Sequence, residues 1–481
     1  MSQMARNSIF SSLLNNLRWK PTQLQAAVAL TCVIFSGTFC PEVRGEAISL
    51  KESYLSEKAF NCQAQIETVG SVVTAKSQTE KDRLLLKAEA GFQFLEKLLP
   101  PAGRDAFSLR ALRIFSRADL VTDVNEYRTE STLPANTRKI VAAGRREGVQ
   151  NYPLDGNLTR DSLDLLELPG DPLAVIGLLP DTDQEIGDDW TPPDWAIQML
   201  TGIEAVKTSD FQCTLSDANR ISAKISLSGT VEGERLGAKT KVEVKGTVIY
   251  DRRTSHVAQT RVIYVILADI GTVNPGLDVK VTSNLVRKVA STQDEITPEL
   301  LESIGFEPDP TQLKLTFKVP EWGLQLSHLR DWHLFQTVAG GSNPVSILRL
   351  VEHGSLVSQC NVSPLPAAAP GERIPLEQFE SDIQSSLGDK FQEFGEREEI
   401  ETGDDRKIYR VVANGQYEVK GASASAQIPM SWIYYLVVNP QGRQFSFVFS
   451  IEPTLLEQLE SKDLDLVQSL RFTQPLTPTP R

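Results

Sequence analysis

The sequence predicts an α+β protein. A large, curved antiparallel sheet with one helix comes first, and a second antiparallel sheet with flanking helices follows. Three observations predict it. Four long segments between residues 221 and 285 alternate apolar and polar side chains, the signature of strands with one buried and one wet face. Residues 78–99 place Leu84, Leu85, Ala88, Phe92, Leu95 and Leu99 at helical spacing, with Pro100 and Pro101 as a stop. The last third mixes short alternating runs with two amphipathic stretches.

Taken in order, the chain opens with the three parts of a secretory signal. Arg6, Arg18 and Lys20 are basic, Leu24–Phe35 is apolar, and small residues at Gly45 and Ala47 offer cleavage points. Residues 1–47 are therefore expected to be a signal peptide. An uncleaved anchor ranks second, because the apolar run is shorter than the ~20 residues a bilayer needs and ends at Pro41 and Glu42. Lipidation ranks third, since Phe39 and Thr31 precede Cys40 and Cys32 where a small residue is needed. No later stretch could span a bilayer.

A β-rich domain with its N-terminal helix is expected over 48–290. Residues 107–168 read as short strands, and 169–195, rich in Pro, Gly and Asp, as a long connection. The alternating sets follow. Ile221, Ala223, Ile225, Leu227 and Val231 form the first, and Val242, Val244, Val248 and Tyr250 the second. Val262, Tyr264 and Ile266 form the third, and Leu277, Val279, Val281 and Leu285 the fourth. Breaks are expected at 232–234, 251–253 and 274–276. Residues 291–311, with Pro298, Pro308 and Pro310 among many acids, read as a linker around a short helix near 298–304.

An α+β domain is expected over 312–473 and a disordered tail over 474–481. Strands are expected at 313–319, 345–351, 408–412, 416–421, 431–438 and 443–451. Leu376, Phe379, Ile383 and Leu387 fall on one helical face, and a closing helix carries Leu455 to Leu470. The segments Val319-Pro320-Glu321-Trp322, Trp432–Val437, Arg443–Phe449 and Leu466–Phe472, in this order around the 375–388 helix, resemble the PsbP/Mog1/DcrB-like sandwich. That resemblance implies an antiparallel sheet with helices and a binding or assembly role, and it carries over no site residue. The alternating strands of 200–290 resemble bacterial exported β-rich domains of unknown function. They are also similar to the LolA/LppX half-barrel, which holds lipid in its concave face.

Net charge is −13, and the basic residues of the signal make the remainder more acidic still. Such a surface disfavours nucleic acid. Outside the signal the cysteines are Cys62, Cys213 and Cys360, with no CxxC pair. One disulfide, such as Cys62 to Cys213, and three buried thiols both remain open. His256, His328, His333 and His353 form no HxH, HExxH or HxxxH. No GxSxG, P-loop or GxGxxG occurs, and Gly340–Pro344 reads as a turn. Asp181–Asp189 fails the EF-hand template, with Ile186 and Pro192 where Gly and Glu belong. Trp190 and Trp195, flanking prolines, are expected to pin a loop to the core. Glu396, Glu398, Glu399 and Glu401 read as a polar exposed connection.

No catalytic residue, cofactor or metal is therefore expected. The leading expectation is an exported non-catalytic protein that binds a macromolecular partner, an unidentified envelope protein, in the bacterial periplasm or at the cell surface. The alternative is a carrier of a lipophilic ligand in a cavity lined by Val242, Val244, Val262, Tyr264 and Ile266. A hydrolase with an unrecognised site ranks last.

Overall fold

A computed structural model describes residues 47–52, 58–75, 80–100, 105–292, 294–420 and 425–475. The signal segment and the end of the tail, 476–481, lie outside these described residues. Strands account for 54% of the structure and helices for 16%, so the expected α+β class is corrected to a mostly β protein.

The first region is one sheet of thirteen strands among the described residues. Its strands are β1 (Phe60–Ala75), β2 (Lys81–Leu98), β3 (Arg110–Val124), β4 (Tyr127–Thr132), β5 (Lys139–Arg145) and β6 (Gly148–Pro153). Then come helices α1 (Arg160–Leu165) and α2 (Pro172–Gly177), strand β7 (Asp189–Trp190) and helix α3 (Asp194–Thr201). The strands β8 (Ala205–Ser209), β9 (Gln212–Ala218), β10 (Ser222–Arg235), β11 (Ala238–Asp251), β12 (His256–Ala268) and β13 (Gly276–Val289) complete it. The order is β6-β5-β3-β2-β1-β13-β12-β11-β10-β9-β7. First and last long strands meet at the centre, antiparallel from Phe60 opposite Val289 to Val73 opposite Gly276.

The helix expected over 78–99 is strand β2. Residues 84, 88 and 92 are four apart, a spacing that fits a helical face and also one face of a strand. The positions between them decide. Leu86, Ala88, Phe92, Phe94 and Leu98 are buried while Lys87, Glu89 and Gln93 are exposed, which is period two. Among the described residues, the helices of this region are instead the short α1–α3, in and around the segment expected to be a connection. Leu173, Ala174, Val175 and Ile176 of α2 and Ile197 and Leu200 of α3 join the core with Val244, Val262 and Tyr264 of the sheet. The four alternating sets form β10 to β13 in sequence. The first hairpin turns at Leu236-Gly237 rather than at 232–234, because both residues take positive φ (48° and 73°).

Helix α4 (Pro298–Glu302) lies in the segment expected to be a linker, and Leu300, Leu301 and Ile304 pack against Leu112, Val141 and Tyr152 of the large sheet. The C-terminal region then holds β14 (Leu315–Val319), β15 (Leu324–His328), β16 (Trp332–Val338), β17 (Val345–Glu352) and β18 (Ser355–Leu365). Helix α5 (Leu376–Leu387) precedes β19 (Phe391–Glu401), β20 (Lys407–Lys420), β21 (Ser425–Val438) and β22 (Gln444–Ile451). Helices α6 (Leu456–Leu459) and α7 (Lys462–Gln468) and strand β23 (Arg471–Phe472) end it. Seven strands pair in the order β16-β17-β18-β22-β21-β20-β19, and β14-β15-β23 form a small second sheet. The two strands expected at 408–412 and 416–421 are one, β20. Phe379, Ile383 and Leu387 of α5 cover Trp432, Tyr434 and Leu436. Leu466 and Val467 of α7 pack with Ile433, Tyr435 and Val437, so the two helices lie on opposite faces.

Two hairpin tips join the regions. A Cβ on Gly237 would lie 2.5 Å from the Gly354 carbonyl oxygen, and one on Gly354 would lie 2.3 Å from Gly237 Cα. Both have positive φ, so glycine is demanded twice, by conformation and by space. Around them Thr272 Oγ1 donates to the Gly354 carbonyl (3.2 Å), and Arg349 donates to the Thr272 carbonyl (2.8 Å).

Candidate functional site

The buried face of the large sheet is organised by buried charge. Arg113 on β3 donates Nε to Glu96 (3.0 Å) and both Nη groups to Asp171 (2.6 Å each). Arg287 on β13 donates Nε to the other Glu96 oxygen (3.1 Å) and its Nη groups to Glu52 (3.0 and 2.8 Å). The result is a ladder of three carboxylates and two guanidiniums, all buried. Burial works against the Arg113 charge, but Asp171 and Glu96 outweigh it and hold its pKa above the ordinary value. Asp171 is also the N-cap of α2, accepting from Leu173 N–H (2.9 Å), with Pro172 at the first helical position. The ladder thus ties α2 and the segment containing Glu52 to the sheet by bidentate bonds.

Under this lock the expected cavity-lining residues separate. Val244 and Val262 are buried in the core beside α2. Val242, Tyr264 and Ile266, also buried, reach cavity walls at the junction with the C-terminal region. The main cavity there is about 340 Å³. It is bounded by α1, α3, Tyr264 and Ile266 of β12, Arg330 just before β16, and His333 on it. A neighbouring space of about 130 Å³ shares Arg160, Ile266 and His333 and adds Asp164 and Val242.

The cavity is polar. Arg160 donates to the carbonyls of Arg330 and Trp332, while its buried Nε has no hydrogen-bond partner among the described residues. Arg330 donates Nε to the Leu313 carbonyl (3.0 Å) and Nη2 to the Asn151 carbonyl (2.7 Å). Burial, and then the charge of Arg160, lowers the Arg330 pKa to about 10. Burial pushes His333 down to about 3, with Arg160 and His328 adding to it. On the other side, burial and then the Glu167 charge raise Asp164 to about 7, and burial raises Glu204. The Tyr264 hydroxyl is buried, lines the cavity and has no hydrogen-bond partner among the described residues. Burial and then the Asp171 charge raise its pKa. Gly170, at φ 74°, passes so close that a Cβ there would sit 3.4 Å from that hydroxyl oxygen.

Sequence reasoning singled out Tyr264, Ile266 and Val242 by alternation, as lining of a lipophilic cavity, and weighed His333 only as a metal or triad residue. It missed Arg160, Arg330 and the ladder. No motif marks any of them, and their neighbours come from strands far apart in sequence.

The other weighed features have plain placements. Trp190 Nε1 donates to the Leu178 carbonyl (2.9 Å) and Trp195 packs on the core, so both pin their loop. His328 is buried with Nδ1 2.8 Å from the Leu329 carbonyl oxygen, and burial lowers it to about 4. Asp188 accepts from Glu185 N–H within the Asp181–Asp189 loop. Glu396 pairs with Arg410 (2.9 Å) and Glu399 with Arg373 (2.8 Å), both on β19. Cys62, Cys213 and Cys360 are buried and unpaired, which leaves no disulfide among them. No helix among the described residues is long and apolar enough to cross a membrane.

No protein-family model matches the sequence, and no curated protein matches it. Among solved structures the chain is similar to cyanobacterial PsbP (CyanoP) of Synechocystis sp. PCC 6803. The identity is 16%, over 35% of this chain and 97% of that one, with a TM-score of 0.22. It is also similar to the MucA/MucB complex of Pseudomonas aeruginosa, at 11% identity over 86% of this chain and 94% of that one, TM-score 0.19. A third similarity is to kievitone hydratase of Nectria haematococca, at 7% identity over 86% of this chain and TM-score 0.13. At such scores these likenesses assign neither a family nor an activity.

Proposed function

We propose that this chain is an exported, non-catalytic protein that binds a protein partner, with the junction cavity as its recognition site. The observation that supports this is the cavity itself. It is built jointly by both regions and lined by polar groups that their own surroundings leave incompletely bonded. The signal-like N-terminus supports export. A lipophilic carrier would need the concave face open, and α2 stands over Val244 and Val262 there, held by the bidentate bond from Arg113 to Asp171. That favours a partner over a lipid.

The test is site-specific cross-linking. A photo-reactive residue at Glu147, exposed on the cavity rim, should trap a discrete envelope protein in cells, and one at Leu85, on the outer face of β2, should not. Equal trapping from both positions, or none from Glu147, would sink the reading.

A further inference from the structure

Two arginines meet at the junction with no carboxylate in ion-pair contact. Among the described residues no acid lies within ion-pair distance of Arg160 or Arg330, although Arg145, Arg235 and Arg349 around them are each held elsewhere. Arg145 pairs with Glu307 (3.1 Å), Arg235 pairs with Glu167 (3.0 Å), and Arg349 stacks on Phe335. Arg160 and Arg330 instead spend donors on backbone carbonyls, which orient a guanidinium without neutralising it. Both side chains are half-buried, and Asp161, Asp164 and Asp331 act on Arg160 only from beyond ion-pair distance, so a close anion would still be favourable. A third residue lining the same cavity is Tyr264, 2% exposed, whose hydroxyl has no hydrogen-bond partner among the described residues. The cavity lining therefore holds two guanidiniums and a hydroxyl, the donor types that bind an oxyanion.

The charge of the remaining lining narrows the oxyanion. Glu147, Glu204, Glu167 (paired with Arg235) and Asp171 (paired with Arg113) border the same cavity, and Asp164 borders the adjoining space. A dianion would be repelled by them, whereas a single negative charge is matched to the arginine wall. The volume, about 340 Å³, suits one or two side chains rather than a folded element. Leu168, Pro169 and Ile266 supply apolar surface beside the polar wall.

We propose that Arg160, Arg330 and Tyr264 form a binding site for one carboxylate, carried by an extended acidic segment of the protein partner. This deepens the partner-binding reading above and rests on it for the source of the carboxylate. The ion pair forms at the moment of docking, so the arginines select for an acidic residue and the cavity volume limits what flanks it.

The test uses the purified protein and two capped pentapeptides that differ only by Glu or Gln at the centre, with inorganic phosphate as a third probe. Binding is read by saturation-transfer NMR. The Glu peptide should bind roughly tenfold tighter than the Gln peptide, as expected for charge-assisted bonds. Arg330→Gln should abolish that preference. Because Arg330 also holds Leu313 and Asn151, Tyr264→Phe is the cleaner variant. It should weaken the Glu peptide roughly fivefold, the equivalent of one neutral hydrogen bond, while the melting temperature stays level or rises. A merely structural hydroxyl would not give that combination. Equal binding of the two peptides, tighter binding of phosphate, or an unchanged Tyr264→Phe variant would each overturn the site. Trapping from Glu147 together with equal peptide binding would leave the partner reading standing and this one lost. A Glu preference with no trapped partner would do the reverse.

Discussion

At the centre of the large sheet lie two arginines and three carboxylates, whereas the middle of the seven-stranded sheet is a layer of rings. There Phe449 sits edge-on between Trp332 (5.8 Å) and Tyr435 (5.7 Å), with Phe445 and Phe447 beside it. The two arrangements answer different geometric needs. The seven-stranded sheet is covered face-on by α5 and α7, and broad apolar contact suffices to hold elements already constrained by strand pairing. The large sheet must position α2 and the segment with Glu52, which have no place in its main strand ladder. Apolar contact alone lets such elements slide, and bidentate guanidinium–carboxylate bonds do not. Buried charge here is better read as a device of position than of net stability, since well-packed apolar groups would stabilise as much.

The comparison can be broken most sharply at Arg287. Arg287→Met leaves Glu52 and Glu96 buried without their shared cation, and should cost about 3–5 kcal/mol in urea unfolding. A loss below about 1 kcal/mol would mean the ladder does not organise this core. In the ring layer, Phe449→Leu should cost less, about 1–2 kcal/mol, because the change only trims volume and leaves no charge stranded.

Acid sharpens the contrast. Burial holds His328 near 4 against 6.5 in the unfolded chain. A base depressed in this way contributes stability that is full above about 6.5 and lost as pH falls toward 4, because the unfolded chain takes the proton first. Stability should therefore decline across that window, and His328→Leu should flatten part of the decline. Burial depresses His333 and His256 in the same direction, so the remainder belongs to them. An unchanged pH profile in His328→Leu would show the imidazole to be hydrated. The smallest effect is expected at the loop pin. Trp190→Phe removes the Nε1 bond to the Leu178 carbonyl and should cost about 0.5–1.5 kcal/mol, read as a lower urea midpoint.

These regions were unequally legible. Strands β10 to β13 could be read from alternation because each has one wet face, and the 375–388 helix could be read because Phe379, Ile383 and Leu387 face one way. Strand β2 was misread because apolar residues four apart, Leu84, Ala88 and Phe92, satisfy both periods, and that error added a long helix to a region that is mostly strand. The cavity was half legible. Tyr264 and Ile266 stand out as inward positions of β12, but alternation reports only which way a side chain points, not what it meets. Arg160 and Arg330 are separated by 169 intervening positions of chain, and they come together without an ion-pair partner only once α1 and the start of β16 are side by side. The ladder was invisible for the same reason, since Glu52 and Arg287 stand at opposite ends of the large-sheet region.

The contact of Gly237 with Gly354 bears on how this chain could change over time. A junction keyed through side chains drifts by many compensating substitutions. One keyed through two bare backbones cannot, because the first β-carbon at either position meets main chain that has nowhere to retreat. Drift elsewhere on the two hairpins is cheap, yet these two positions are bound to be inherited together. Any chimera that replaces the C-terminal region would have to carry a glycine at the tip of its β17–β18 hairpin, or open the cavity beside it.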